Sequence, residues 1–407
     1  MALIVKKFGG TSVADAECMR RVARRIGEAQ AAGDSVVVVV SAMGKTTDQL
    51  IDLAKDVNPQ PSDREMDMLM STGEQISSAI LAMALHALGH EAVSLTGGQA
   101  GIHTDHVHTK AKIQRIEPEN IHVHVKEGRI VIVAGFQGLT PEMDVATLGR
   151  GGSDTTAVAL AAALQADRCQ IYTDVDGVFT ADPRVVKKAV KLDEISYDEM
   201  LELASLGAKV LQSRAVEFAK KYDVELEVLS SFTGAPGTVL RSEVANMENI
   251  VVRGVAVDKN QAKLTIRAVS DRPGAAATIF RELSAANINV DMIVQNVSAE
   301  GHTDVSFTVP ADDLPKSKRV VEGIMEEVGA TTVAVDDNIA KVSIVGVGMR
   351  GHTGVAARMF EALAAKEINI DMIATSEIKI SVSIRRDQAD RAMDVLHGAF
   401  ELELSAS

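Results

Sequence analysis

Ile288-Asn-Val-Asp-Met-Ile293 returns 80 residues later as Ile368-Asn-Ile-Asp-Met-Ile373, and the segments around the two copies match as well. Leu264-Thr-Ile-Arg-Ala-Val269 corresponds to Val342-Ser-Ile-Val-Gly-Val347 at an offset of 78. A glycine-containing turn follows each, at Pro273-Gly274 and at Gly351–Gly354, and then a helical pattern, 275–286 and 355–366. Further apolar runs at 304–309 and 379–384 and a last helix complete each copy. That order is the ferredoxin-like βαββαβ unit. The C-terminal part of the chain is therefore a duplication, either a scaffold or dimerisation module or a pair of small-molecule sensors.

Upstream, the pattern is different. Val36–Val40 and Ile130–Ala134 are unbroken apolar runs, as expected of strands covered on both faces. Leu3–Val5, Gln170–Thr173 and Leu226–Leu229 are further strand candidates. Between them lie helical patterns at 19–33, 66–88, 154–166 and 209–222. This alternation predicts an α/β domain on a mainly parallel sheet. The turn-rich Ser231–Thr238 and polar 241–249 mark its end, near residue 245.

The composition sets limits. The chain has 407 residues, room for two or three domains of ordinary size. With no Trp and 3% aromatics, its core must come from aliphatic side chains and Met. A net charge of −14 argues against general nucleic-acid binding. Two cysteines, Cys18 and Cys169, form no disulfide framework and fit a reducing cytoplasm. The apolar stretch 157–166 is too short to cross a bilayer, and the N-terminus does not read as a signal peptide.

Ligands of open α/β sheets bind beyond the C-terminal ends of the strands, and four loops there carry suitable chemistry. Lys7-Phe8-Gly9-Gly10-Thr11-Ser12 is either a tight turn or a phosphate cradle, with Ser12 able to cap the next helix. Ser41-Ala-Met-Gly-Lys45-Thr46-Thr47 contains Gly-Lys-Thr but has Val39 where a P-loop needs glycine, so Ser41 and Thr47 are read as hydroxyls of a polar site. Leu148-Gly149-Arg150-Gly151-Gly152-Ser153-Asp154 opens a helix and makes a ready anion site, with Arg150 suited to a carboxylate. Asp154 there either caps the helix or balances charge at a transferring phosphoryl. Asp174-Val-Asp176-Gly-Val-Phe179-Thr-Ala-Asp182-Pro-Arg184 is either two turns or a nucleotide loop. His103, His106 and His108, with His122 and His124 alternating along an expected strand, lack a zinc-ligand pattern and read as a solvated face. Met66, Met68 and Met70 read as core filling.

Taken together, Lys7–Ser12, Thr147–Asp154 and Tyr172-Thr-Asp-Val-Asp-Gly-Val178 resemble the aspartate kinases, and the C-terminal duplication resembles their paired ACT domains. The resemblance covers essentially the whole chain. It implies a kinase domain over 1–245, a first ACT unit over 263–335, and a second built from 250–262 plus 336–407, with Ile250–Val257 adding a strand to it. It implies phosphoryl transfer from ATP, accompanied by Mg²⁺ on its phosphates, to the side-chain carboxylate of L-aspartate. No metal held by the protein itself is expected.

By the same resemblance, Lys7 lies beside the β- and γ-phosphates with Phe8, Gly9 and Gly10, and Asp154 organises the reacting groups. Ser41, Thr47, Glu74, Phe136, Arg150, Gly151, Gly152 and Ser153 surround aspartate; Arg150 takes the α-carboxylate and Glu74 the ammonium. Thr173, Asp174, Phe179, Thr180, Ala181, Asp182, Pro183, Arg184 and Lys209 hold ATP. Lysine and threonine are the expected effectors, bound by Asp271, Arg272, Pro273, Gly274, Ala275 and Ala276; by Asn289, Val290, Asp291 and Gln295; and by Val355, Ala356, Asn369, Ile370, Asp371, Ser376 and Glu377. The expected partners are a second copy or a small subunit beginning near Met247, joined through the ACT units. Other amino-acid kinases and a non-catalytic amino-acid sensor are the competing readings.

Overall fold

The computed structural model describes residues 2–206, 210–242, 244, 251–296 and 301–404. The expected sites at Lys209 and Met247 lie outside the described residues. The chain forms two compact units, and they do not follow it linearly. Phe179–Val190 leaves the first unit and belongs to the second, while residues 191–205 return to the first.

The strands of the first unit are β1 (Leu3–Phe8), β2 (Ser35–Val40), β3 (Ala92–Leu95), β4 (Ile102–Thr104), β5 (Ile113–Ile116), β6 (Ile130–Ala134), β7 (Gln137–Leu139), β8 (Val145–Thr147), β9 (Arg168–Thr173), β10 (Glu194–Ser196), β11 (Leu226–Ser230) and β12 (Thr238–Arg241). Eight of them form one sheet in the order β10-β12-β11-β9-β1-β2-β6-β3, parallel except at β11–β12. β5-β4-β7-β8 make a smaller sheet. The main helices are α1 (Ala16–Ala31), α2 (Thr46–Val57), α3 (Asp63–His86), α4 (Glu119–Lys126), α5 (Gly152–Leu164), α6 (Tyr197–Ser205) and α7 (Ser213–Tyr222).

The β-branched runs explain the layering. Val36, Val38 and Val40 pack with Val22 and Ile26 of α1 and Leu81 and Leu85 of α3 on one face. Val37 and Val39 point to the other face, where α5 is buried along nearly its whole length. Such a helix, apolar all round, belongs between layers.

Three local expectations differ. Ser12 caps no helix; it sits in a short turn with its hydroxyl 2.5 Å from that of Ser231, and Asp15 caps α1 by accepting from the Cys18 N–H. His122 and His124 lie on helix α4, not on a strand, because the apolar residues Ile121 and Val125 recur at helical spacing. The Ile288–Ile293 and Ile368–Ile373 segments are mostly irregular, and their strands begin only at Ile293 and Met372.

The second unit contains β13 (Gly254–Ser270), β14 (Ile293–Gln295), β15 (His302–Pro310), β16 (Thr332–Val345), β17 (Met372–Thr375) and β18 (Lys379–Arg385), with α8 (Ala275–Ala285), α9 (Leu314–Val328), α10 (Val355–Ala364) and α11 (Ala389–Ala399). One sheet holds them in the order β14-β15-β13-β16-β18-β17. β13 and β16 are long because each serves both repeats. Lys263–Arg267 pairs with Thr332–Asp336 in the first repeat, and Gly254–Asp258 pairs with Lys341–Val345 in the second. Register shifts between 258 and 263 separate the halves. Among the described residues, no helix is long and apolar enough to cross a membrane.

Candidate active site

Alternation along β1 sends Lys6 and Lys7 to opposite faces. Lys6 donates to Gln170 Oε1 at 2.9 Å, and burial lowers its pKa to about 8. Lys7 points the other way, and its Nζ lies 2.5 Å from Asp154 Oδ1 in the first turn of α5. The pair is largely buried. Asp154 thus forms an ion pair and does not cap α5, whose N-cap is Gly151 with no side-chain cap.

The loops after β1, β2 and β6 are tied edge to edge. Ser41 N–H donates to Phe8 O at 3.1 Å, Gly44 N–H to Gly10 O at 3.0 Å and Gly135 N–H to Val40 O at 3.0 Å. A Cβ on Gly10 would meet Ala42 O at 2.9 Å, so glycine is what lets these loops close up. Behind them lies a cavity of about 430 Å³. It is lined by Lys7, Gly10, Ser41, Thr47, Glu74, Phe136 and the run Arg150–Asp154, together with Asp48, Met70 and Thr109. The structure thus collects in one place every residue expected around the amino-acid substrate. Phe136 holds φ 70° there, with its N–H donating to Thr156 Oγ1 at 3.1 Å. Gly151 holds φ 69°.

Glu74 is 4% exposed. Its Oε1 accepts the Ala42 N–H at 3.1 Å, whereas its Oε2 is buried without a hydrogen-bond partner. Burial raises its carboxyl to about 7 from an ordinary 4.5. A buried acceptor without a donor is costly, and such atoms mark a place for a ligand.

The other expected residues fall in several places. Met70 lines the cavity, although its helical spacing reads as core. The Phe8 side chain is fully buried and stacks on Tyr172 with ring centroids 4.6 Å apart. The Gly9 N–H is given to Tyr172 O at 3.3 Å. Thr173 and Asp174 end β9 beside Gly9, with the Thr173 hydroxyl on Asp174 Oδ1. Phe179, Asp182, Pro183 and Arg184 belong to the second unit, where Arg184 pairs with Asp182. Thr180 and Ala181 are core residues of that unit. The Thr180 hydroxyl is 2.9 Å from His397 Nε2, and Ala181 packs with Val355, Met359 and Leu396. Of the histidines expected on a solvated face, His103 pairs with Glu117, His108 with the buried Asp67 and His124 with Glu127. No group of three or more metal-ligating side chains converges among the described residues.

In the second unit, the two repeats present equivalent loops. Gly274 (φ 100°) and Gly354 (φ 90°) open α8 and α10, with Asp271, Arg272, Pro273, Ala275 and Ala276 around the start of α8 and Val355 and Ala356 at the start of α10. The Asp291 N–H donates to Thr308 O, and the Asp371 N–H to Ser383 O. The Asp291 carboxylate forms an ion pair with the buried Lys341. Asn289, Gln295, Asn369, Ser376 and Glu377 are exposed, Val290 and Ile370 half-buried, and Glu377 pairs with Arg350 at 3.1 Å.

A parallel sheet with a glycine-lined cleft of paired charges at its strand ends, followed by duplicated ferredoxin-like repeats, defines an amino acid kinase with ACT domains. Residues 2–230 match the amino acid kinase family, and 264–323 and 342–400 match the ACT domain. The chain is 56% identical to an aspartate kinase of Stutzerimonas stutzeri and 55% identical to the aspartokinase of Pseudomonas aeruginosa, covering 100% of this chain and 99% of each relative. Escherichia coli aspartokinase III, solved with aspartate and ADP, superposes with a TM-score of 0.83 at 27% identity over 98% of this chain and 99% of that one. The same enzyme solved with lysine and aspartate gives 0.74 over the same coverage. The chain belongs to the aspartokinases.

Proposed function

We propose that this aspartate kinase moves the γ-phosphoryl of ATP onto the β-carboxylate of L-aspartate, giving 4-phospho-L-aspartate. The observation that carries the reading is Glu74 Oε2, a buried carboxylate oxygen without a partner in the same cavity as the Lys7–Asp154 pair and Arg150. An α-amino acid supplies what each lacks. Its ammonium satisfies Glu74, and its α-carboxylate meets Arg150 and the N-terminal end of α5. The complex of the E. coli relative with aspartate and ADP supports the same pairing of ligands.

The β-carboxylate is ionised at neutral pH and needs no strong base. The obstacle is bringing two anions into contact. Lys7 supplies a positive charge at the junction, and Asp154 holds its ammonium in place. The loop at Gly10 and the end of β9 at Thr173 and Asp174 are the first unit's candidates for the nucleotide. Mg²⁺ bound to the nucleotide phosphates would supply charge neutralisation there. Preorganised cations of this kind stabilise the charge that develops on the transferring group.

Inhibition by lysine or threonine through the ACT repeats, assembly of copies through them and a cytoplasmic location complete the proposal. The lysine complex of the E. coli relative supports the first. An ADP-coupled assay with trapping of the acyl phosphate by hydroxylamine tests the whole. Aspartate-dependent turnover, depressed by lysine plus threonine, is expected. Turnover with glutamate or N-acetylglutamate but not aspartate refutes the acceptor.

A further inference from the structure

Asp67 takes no part in the chemistry above, yet among the described residues it is the most enclosed carboxylate of the first unit, with 0% exposure. Three donors from outside its helix converge on it. Thr147 Oγ1 lies 2.5 Å from Oδ1; His108 Nδ1 at 2.8 Å and the Thr109 N–H at 2.9 Å share Oδ2. Asp67, Met70 and Glu74 recur at i, i+3 and i+7 on α3, a spacing that puts them on one face. The latter two line the cavity.

The donors lead to the opposite wall. Thr147 ends β8 and runs directly into Leu148-Gly149-Arg150. Thr109 itself lines the cavity and holds φ 64°, a conformation that an L-residue keeps only when its surroundings fix it. The two segments are also laced together. Ala111 N–H donates to Thr147 O at 2.9 Å, and the Arg214 guanidinium donates to Leu148 O at 3.2 Å and Ala111 O at 3.0 Å. A Cβ on Gly149 would lie 3.1 Å from Thr109 O, so the Arg150 loop sits directly against the residue that Asp67 holds.

We propose that Asp67 is a positioning residue that fixes the separation between Glu74 and Arg150, and thereby the fit of the acceptor's ammonium and α-carboxylate. A zwitterion gains from both contacts only when their spacing is held, and misplacement of a contact weakens the fit steeply. The inference rests on the reading of Glu74 and Arg150 as acceptor contacts. ATP does not share that dependence, because Lys7 lies on β1 and Gly10 in the turn just after it.

Steady-state kinetics on the full chain test it, with both KM values measured separately. Thr147→Val keeps the shape but removes the hydroxyl, and Thr147→Ser restores it. Thr147→Val and Asp67→Asn are expected to raise the aspartate KM about tenfold, the effect of one lost hydrogen bond, with the ATP KM within about twofold of wild type. Thr147→Ser should return close to wild type. Equal changes in both KM values, or a lowered melting temperature with both KM values unchanged, would overturn the proposal. Thr147→Val and Thr147→Ser decide the matter should Asp67→Asn fail to fold. Arg150→Ala separates the two levels: if it leaves the aspartate KM unchanged, the acceptor reading itself is wrong, whereas a raised KM there beside a normal Thr147→Val sinks only the role of Asp67.

Discussion

Replacing Glu74 by Gln removes a buried charge, so it should make the free enzyme more stable and the working enzyme worse. Moving a carboxyl from 4.5 to about 7 makes its charged form roughly 3 kcal/mol less favourable in the fold. Between those two pH values the native protein binds more protons at Glu74 than the unfolded chain does. Stability contributed by this group is therefore present at low pH and lost as the pH rises through that window. Glu74→Gln does not titrate. The melting temperature of the variant minus that of the wild type, without ligand, should be small at pH 5 and grow by on the order of 6–12 °C by pH 8.5, at about 2–4 °C per kcal/mol for a domain of this size. Differential scanning fluorimetry across that range reads it, and subtraction cancels every other titrating group. In the same variant the aspartate KM should rise by roughly 10–100-fold, as expected for a lost charge-assisted hydrogen bond. Wild-type aspartate affinity should weaken as the pH falls below about 7. A stability difference that stays flat with pH refutes the buried, unpaired carboxylate; an unchanged KM refutes its contact with the substrate.

Lys7→Ala should depress kcat by about 10²-fold or more, read by ADP release at saturating substrates, because it removes the cation at the point of transfer. Gly151→Ala forces an L-residue to φ 69° with its Cβ 1.6 Å from the Gln212 side chain; a loss of about 1–3 kcal/mol in stability and a raised aspartate KM are expected from melting and kinetics. Thr180→Val strands the buried imidazole of His397, which should destabilise the second unit by about 1–3 kcal/mol in hydrogen exchange of α11. Burial lowers the pKa of His397, so in the wild type the stability that depends on the neutral ring is present above about pH 6.5 and fades in acid; Thr180→Val should leave that direction unchanged.

The sheet was readable because burial on both faces forces unbroken β-branched runs such as Val36–Val40 and Ile130–Ala134, which no surface helix would carry. The repeat was readable because both copies solve the same packing problem with the same residues. Lys7, Arg150 and Asp154 stood out through their glycine neighbours. Glu74 did not: one carboxylate in a helix looks the same whether it faces water or a cavity, and only the resemblance singled it out. The helix of His122 and His124 was misread because the eight residues of α4 hold too few apolar positions to separate a period of 2 from one of 3.6. Thr180 and Ala181 carry no local sign of their burial in the second unit, because turn residues give no hint of which compact unit will enclose them. Asp67 had no local signal at all, since its three donors come from residues 41, 42 and 80 positions away.

The exchange of strand halves between the two repeats has a mechanical result. Neither repeat owns a complete sheet, so neither can melt, tilt or be excised alone: a tug on Lys341–Val345 is a tug on the same ribbon that continues into Thr332–Asp336. A strain imposed on one end of either strand therefore reaches the other repeat along the backbone itself, whatever side chains line the way.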